Sequence, residues 1–182
     1  MKINHVFRPL VALLVAAVSL SSCKKDNPVH EHDNEEISRL ELQFTPTTGM
    51  AAEPQTLVFT TADNANKEVT LKKGSYTLRI KAQDFDGHDI TQEFIESAAE
   101  HQFFFVGPTA QQVSYSYLDA NVGISGTWNN LQAASGIPVQ VTLMHGLNKS
   151  KVSASDWNNP NYFSLAGGTR DIAVSFNLII TE

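Results

Sequence analysis

The stretch from Ser75 to Lys81, "SYTLRIK", alternates strictly between polar and apolar side chains. Tyr76, Leu78 and Ile80 would share one face of a strand, because successive side chains of a β-strand point to opposite faces of its sheet. Lys73-Gly74 stands directly before this stretch, and glycine adopts the positive φ that a tight hairpin turn needs. The stretch therefore predicts a half-buried strand that follows a hairpin.

The same pattern recurs along the chain, in runs at residues 39–44, 56–60, 69–72, 101–106, 112–118, 138–144 and 171–180. Thr91 to Glu100 favours a short helix or turn after Asp89 as N-cap, and a strand from Ile90 to Phe94 is the alternative. About seven to nine short strands with turn signals between them predict an all-β fold. We expect a single immunoglobulin-like antiparallel β-sandwich with at most one short helix.

The N-terminus predicts an export signal. Lys2 and Arg8 precede an apolar run at residues 10–20, which is shorter than the roughly 20 apolar residues of a membrane-spanning helix. The run ends in "LSSC", which resembles a bacterial lipobox. Cys23 is the only cysteine in the chain and has no disulfide partner within it. We predict that Cys23 is the lipidated first residue of the mature protein; a chance cysteine after an ordinary signal peptide is the alternative.

These patterns divide the chain into three predicted segments. Residues 1–22 are the lipoprotein signal peptide, residues 23–36 a lipidated, flexible tether rich in histidine and acid, and residues 37–182 the β-sandwich domain. The mature chain carries 11 basic and 19 acidic residues, a net charge of −8. This excess of acid argues against nucleic acid as a partner and against adhesion to anionic lipid. Membrane attachment would then come from the acyl chains, in an outer-membrane lipoprotein that faces the periplasm or the cell surface.

The histidines are candidate metal ligands. His30 and His32 lie in the acidic tether "VHEHDNEE", where they would bind zinc or copper with little geometric selection. His101 shares strand parity with Phe103 and Phe105, and His145 shares it with Val139, Val141 and Leu143. The functional interpretation is that the sandwich brings His101 and His145 together as ligands of a divalent metal or haem; the alternative is that each caps the core at a sheet end.

Two aromatic residues are candidate ligand-binding residues. Trp128 and Trp157 stand among Asn, Gly and Pro in stretches that resemble loops, where aromatic rings can stack on sugars or fill a partner's pocket. The alternative is that both seal the ends of the core. "DFDGHD" (84–89) departs from a calcium-binding loop at its fifth and sixth positions, and we interpret it as a turn at Asp86-Gly87.

The motifs of catalysis are not present in the sequence. No serine lies in a Gly-x-Ser-x-Gly elbow, since Ser125 in "GISG" lacks the second spacing, and no His-Glu-x-x-His pair occurs. No glycine-rich phosphate loop leads from a strand into a helix. We therefore expect a protein that is not an enzyme.

Three segments together carry a family resemblance. "SYTLRIKAQD…DITQEFIESAAEHQFFF", "VTLMHGLNKS" and "AGGTRDIAVSFNLII" are similar to segments of a family of Bacteroidetes envelope lipoproteins. The resemblance runs from about Ile37 to the C-terminus, and His101 and His145 match positions where relatives also have histidine. It implies a secreted, lipid-anchored β-domain whose gene often lies near a TonB-dependent receptor. The histidine-rich tether departs from the acidic tethers of these relatives.

We therefore expect a ligand- or metal-binding accessory of a TonB-dependent outer-membrane receptor, with zinc or copper as the metal. The alternative is a surface interaction module, an adhesin or glycan-binding accessory, that uses the aromatic loops at Trp128 and Trp157.

If the tether captures the metal, the double substitution His30→Ala/His32→Ala will lower the affinity for zinc or copper in a calorimetric titration of the mature protein. An unchanged affinity would remove the tether from the binding site.

Overall fold

The computed structural model describes residues 36–61 and 66–182. The predicted signal peptide, Cys23, His30 and His32 all lie outside the described residues. The described residues belong to one compact unit. None of their helices is both long enough and apolar enough to cross a membrane.

The described residues form two β-sheets and two short helices. The strands are β1 (Arg39–Pro46), β2 (Gln55–Thr60), β3 (Lys67–Lys72), β4 (Gly74–Gln83), β5 (Gln102–Val106), β6 (Val113–Tyr117), β7 (Ser125–Asn130), β8 (Ala134–His145) and β9 (Thr169–Thr181). The helices are α1 (Thr91–Glu96) and α2 (Tyr162–Ala166), and a 3₁₀ turn covers Ala154–Asn158. The first sheet has the order β2-β1-β4-β7-β6 and the second the order β3-β9-β8-β5. The predicted mostly-β, sandwich-like architecture is confirmed. The expectation of at most one short helix is wrong, because the segment Tyr162–Ala166 before β9 also forms a helical turn.

The alternating stretch "SYTLRIK" lies in β4, at the centre of the five-stranded sheet. Its apolar face is buried as predicted, with Tyr76 and Leu78 completely inaccessible and Ile80 only 1% exposed. This strand pairs with β1 on one side and β7 on the other. A strand with neighbours on both sides has its backbone groups paired across both edges, which makes β4 a fixed element of the sheet.

The connection at Lys73-Gly74 differs from the predicted hairpin. β3 and β4 belong to different sheets, so the chain turns a corner here rather than folding back on itself. Gly74 takes a φ of +136°, which a side chain would strain. β3 pairs instead with β9 in parallel, with Lys67 opposite Phe176. The expectation of a purely antiparallel sandwich is wrong at this pair, because both strands enter the second sheet from the same end.

The predicted helix and turn are confirmed. α1 covers Thr91–Glu96, and turns carry the chain on to Glu100. Ile90 rather than Asp89 occupies the N-cap position, but Asp89 Oδ1 accepts a hydrogen bond from the Thr91 backbone N–H at 3.0 Å. Hydrogen bonds from the Thr91 side chain and backbone lower the pKa of the Asp89 carboxyl. Phe94, completely buried, holds the helix against the core.

Trp128 lies at the centre of the core. Its ring makes edge contacts with Phe44, Phe105 and Trp157 at centroid distances of 5.7, 5.8 and 6.2 Å. Its indole Nε1–H donates to Asn130 Oδ1 at 2.9 Å, and Asn130 donates in turn to the Lys72 carbonyl at 3.0 Å. The aromatic cluster therefore joins both sheets, and the Trp128 indole donor is satisfied.

We expect Trp128→Ala to lower the free energy of unfolding by about 3–5 kcal/mol, because the substitution leaves a cavity between the two sheets. Phe163→Ala is the matched control, since Phe163 is an aromatic residue that is 46% exposed. Its effect should stay within about 0.5 kcal/mol. Urea unfolding followed by circular dichroism measures both, and equal losses would contradict the central position of Trp128.

Candidate metal centre

His101 and His145 lie side by side at one end of the second sheet. Gln102 pairs with Met144 in the antiparallel β5–β8 ladder, so the residues one position further along, His101 and His145, are brought together. Their rings are stacked at a centroid distance of 4.6 Å and an interplanar angle of 26°. The exposed fraction is 0% for His101 and 4% for His145. Strand parity predicted that both side chains point inward, and the register of two separate strands makes them neighbours.

A β-bulge brings Asp171 to the same place. Leu143 pairs with Ile172 but Met144 pairs with Arg170, which leaves Asp171 as an extra residue in β9. The bulge turns Asp171 to the inner face beside Ile172, while Arg170 stays exposed. The Asp171 side chain has 0% exposure. Without the extra residue, alternation would place this carboxylate on the outer face.

The Asp171 carboxylate faces both imidazoles. Its Oδ2 lies 3.7 Å from His101 Nε2, and its Oδ1 lies 3.7 Å from His145 Nδ1. These distances exceed those of hydrogen bonds, which are about 2.7–3.2 Å. They are close to the separation of about 3.3 Å between neighbouring ligand atoms around a tetrahedral zinc ion. The possible ligand atoms of the three residues all lie within 4.8 Å of one another.

Ser97, in the turn after α1, fixes the orientation of His101. The Ser97 hydroxyl donates to the Glu93 carbonyl at 2.6 Å, so its oxygen acts as an acceptor towards the ring. His101 Nδ1 lies 2.9 Å from this oxygen and 3.2 Å from the Ser97 carbonyl. Both partners require a proton on Nδ1, and the neutral ring then presents the Nε2 lone pair towards Asp171. This is the tautomer that a metal ligand needs.

His145 has a second face towards solvent. Its Nε2 lies 3.6 Å from Glu100 Oε2, and the Glu100 side chain is 45% exposed. Both residues line a surface cavity of about 490 Å³, together with Gly146, Leu147, Gly168 and Thr169. Gly168 lies against the backbone here, since a Cβ atom at this position would lie 2.4 Å from the His145 carbonyl oxygen. The glycine thus allows the start of β9 to approach the end of β8.

The two predicted ligand-binding residues, Trp128 and Trp157, lie elsewhere. Trp128 belongs to strand β7 rather than a loop and is completely buried, and Trp157 is 9% exposed and packs on Trp128. These positions correct the idea that the two rings are displayed to a ligand; they fill the core, as the alternative interpretation held. His88 is exposed and contacts Asp84 at 3.0 Å in the predicted turn.

Lys149 follows His145 in the segment "HGLNKS" but has a different role. Its Nζ donates to the carbonyls of Ala120 and Asn121 at 3.2 and 3.0 Å. Burial of the ammonium group lowers the pKa of Lys149 to about 8, and the Asp119 carboxylate opposes the shift. Lys149 therefore ties down the loop between β6 and β7.

Three residues of the site were missed at the level of sequence: Asp171, Ser97 and Glu100. Asp171 falls in the run "TRDIAVSF", where strict alternation with Ile172, Val174 and Phe176 assigns it to the solvent face. The sequence offered only an acid three residues after Gly168, in a strand that also contains Arg170, Ser175 and Asn177. Glu100 adjoins His101 and carried no signal beyond this proximity.

Comparison with known proteins gives no functional assignment. The chain matches no family model and no curated protein. It is similar to a solved structure of domains 4 and 5 of the S-layer protein SbsC, with 11% identity and a TM-score of 0.33, over 70% of this chain. The match spans 59% of that chain, or about three fifths of its length.

We expect His101 to carry a proton on Nδ1 at neutral pH, because both Ser97 oxygens accept from that nitrogen. Long-range ¹H–¹⁵N correlation spectra of histidine-labelled protein test this directly. Ser97→Ala removes one acceptor and should make the Nδ1 proton exchange faster with solvent. A spectrum in which only Nε2 of His101 is protonated would contradict the arrangement.

Proposed function

We propose that this protein is a non-enzymatic cell-envelope lipoprotein whose β-domain binds a divalent transition metal, with His101, His145 and Asp171 as ligands. The single observation that carries the proposal is the convergence of two buried imidazoles on one buried carboxylate. Imidazole nitrogen and carboxylate oxygen are donors that suit zinc and copper. Zinc or copper is therefore the cation that we expect.

The charge of the cluster supports a divalent cation. The buried Asp171 carboxylate supplies negative charge beside two imidazoles, and a divalent ion would offset that charge if both rings are neutral. A buried carboxylate costs several kcal/mol when it is removed from water, and the cost falls when it is paired or bound to a metal. Two imidazolium rings stacked at 4.6 Å would repel each other, whereas two neutral rings can share a cation.

The site in the domain differs from the tether in its rigidity. His101 is held by Ser97, and Asp171 by its position in the β8–β9 pair. A cation that enters this site meets ligands that are already ordered, so little conformational entropy is lost on binding. His30 and His32 would have to be ordered by the ion itself. We therefore assign selective binding to the domain and at most weak capture to the tether.

The cellular setting is part of the same proposal. Acyl chains on Cys23 would anchor the protein in the outer membrane, and the β-domain would serve a TonB-dependent receptor as a metal-binding accessory. The lipobox-like "LSSC" and the resemblance to envelope lipoproteins support this setting. The adhesin or glycan-binding alternative depended on displayed aromatic rings, and the burial of Trp128 and Trp157 removes its basis.

Calorimetric titration with zinc tests the proposal. We expect the wild-type protein to bind one ion per chain, and Asp171→Asn to lower the affinity by more than about 100-fold. The reason is that loss of a second-shell partner alone costs about 10–100-fold, and Asp171 is a direct ligand in this proposal. His88→Ala is the comparison variant, because Asp84, Asp86 and His88 form an exposed cluster whose possible ligand atoms also lie within 4.8 Å of one another; it should leave the affinity of the inner site unchanged.

Thermal unfolding gives a second readout of the same site. A ligand that binds only the folded state adds about 2.7 kcal/mol of stability at 100 times its dissociation constant. Zinc should therefore raise the melting temperature of the wild type and of His88→Ala, but not that of Asp171→Asn. No heat and no shift with the wild-type protein would overturn the proposal for zinc, and the same titration with copper decides the second metal.

A further inference from the structure

We infer that Glu100 and the outer edge of the His145 ring form a loading site, where a hydrated divalent cation is captured before it enters the inner site. This inference rests on the function proposed above and adds to it the route by which the ion arrives. The loading site lies on the cavity side of the His145 ring, on the side away from Asp171.

The two ring nitrogens of His145 face two different carboxylates. Nδ1 faces the buried Asp171 at 3.7 Å, and Nε2 faces Glu100 at 3.6 Å. Asp171 has 0% exposure, while Glu100 has 45%. One imidazole thus stands between an inner and an outer position, each with one carboxylate at nearly the same distance.

His145 is also the route into the inner site. Of the three inner ligands, only His145 lines the surface cavity of about 490 Å³. His101 is enclosed on its far side by Phe94, whose ring centroid lies 5.2 Å away, and by Ser97. Asp171 is covered in the bulge. A cation from solvent therefore meets Glu100 and His145 before it can reach either of the other ligands.

The chemistry of the outer pair suits capture rather than tight retention. A single half-exposed carboxylate attracts a hydrated cation and raises its local concentration at the cavity. One carboxylate and one imidazole leave most of the coordination positions to water, so the ion stays exchangeable. Because Nδ1 of the same ring faces Asp171, passage from the outer to the inner position would exchange one nitrogen of His145 for the other.

A loading role and a positioning role for Glu100 predict different kinetics. If Glu100 only oriented the His145 ring, its loss would weaken the inner site and raise the dissociation rate constant. If Glu100 loads the ion, the ion passes the Glu100 position both when it enters and when it leaves, so the loss of this carboxylate slows both processes. Both rate constants then fall together, and the equilibrium affinity changes little.

Stopped-flow mixing of the full-length protein with zinc tests the inference, with a colorimetric chelator reporting unbound zinc and an excess of a strong chelator driving release. We expect Glu100→Gln to lower the association and the dissociation rate constants together, each by about tenfold. Glu96→Gln is the matched control: Glu96 is an exposed glutamate of α1 that does not line the cavity. It should bind and release zinc at the wild-type rates.

The outcomes separate this inference from the function on which it rests. A wild-type protein that binds no zinc would overturn both. A wild-type protein that binds zinc, with Glu100→Gln loading at the same rate, would overturn the loading site alone. A dissociation rate that rises while association is unchanged would also overturn it and would leave Glu100 as a positioning residue. Glu100→Gln is nearly isosteric, and equal thermal melts of the metal-depleted proteins confirm that its fold is intact.

Discussion

At Asp171 the pairing of β8 with β9 contains one extra residue on the β9 side, and the position of the buried carboxylate follows from that insertion. The extra residue, Asp171, faces inward because the bulge interrupts the alternation of the strand. Ile172 keeps the inner face and Arg170 the outer face, and a second irregularity of the same ladder lies between Ala134 and Ile137 of β8. The insertion costs one unpaired position in the ladder and places a carboxylate where regular pairing would put it in solvent.

The environment of this carboxylate explains why the histidines are arranged as they are. Desolvation of Asp171 is unfavourable unless cations or hydrogen-bond donors face it. Both imidazoles approach it from β5 and β8, and Ser97 keeps the lone pair of His101 directed towards it. The cluster thus differs from the aromatic core around Trp128, where nearly all contacts are apolar. The sandwich combines an apolar centre with a polar cluster at one end.

Strand parity predicted the inward direction of His101 and His145 because alternation along one strand fixes which face each side chain occupies. Their contact could not be predicted, since it depends on the register between β5 and β8, whose sequences lie about 40 residues apart. Asp171 was hidden because a bulge has no sequence signature of its own. Gly74 was misinterpreted because a positive φ serves a corner between sheets as well as a hairpin.

Trp128 was assigned to a loop for a related reason. β7 reads "SGTWNN" and contains one large apolar side chain, so it shows no alternation. Its inner face is completed by Gly126, where a Cβ atom would lie 2.2 Å from the Tyr115 ring. A neighbouring strand therefore fills the space that β7 leaves. The hydrophobic pattern of β7 alone cannot reveal this arrangement, because the side chain that packs over Gly126 belongs to another strand.

The position of β9 within its sheet also constrains the order in which the molecule can assemble. β9 lies between β3 and β8, although it follows every other described strand in the chain. During synthesis, a nascent chain that ends before Thr169 has both histidines but neither the carboxylate nor the strand that joins β3 to β8. Such long-range pairing forms slowly, because the entropy cost of closing the intervening loop comes before any stabilising contact forms. The second sheet is therefore completed only after its last strand has been synthesised.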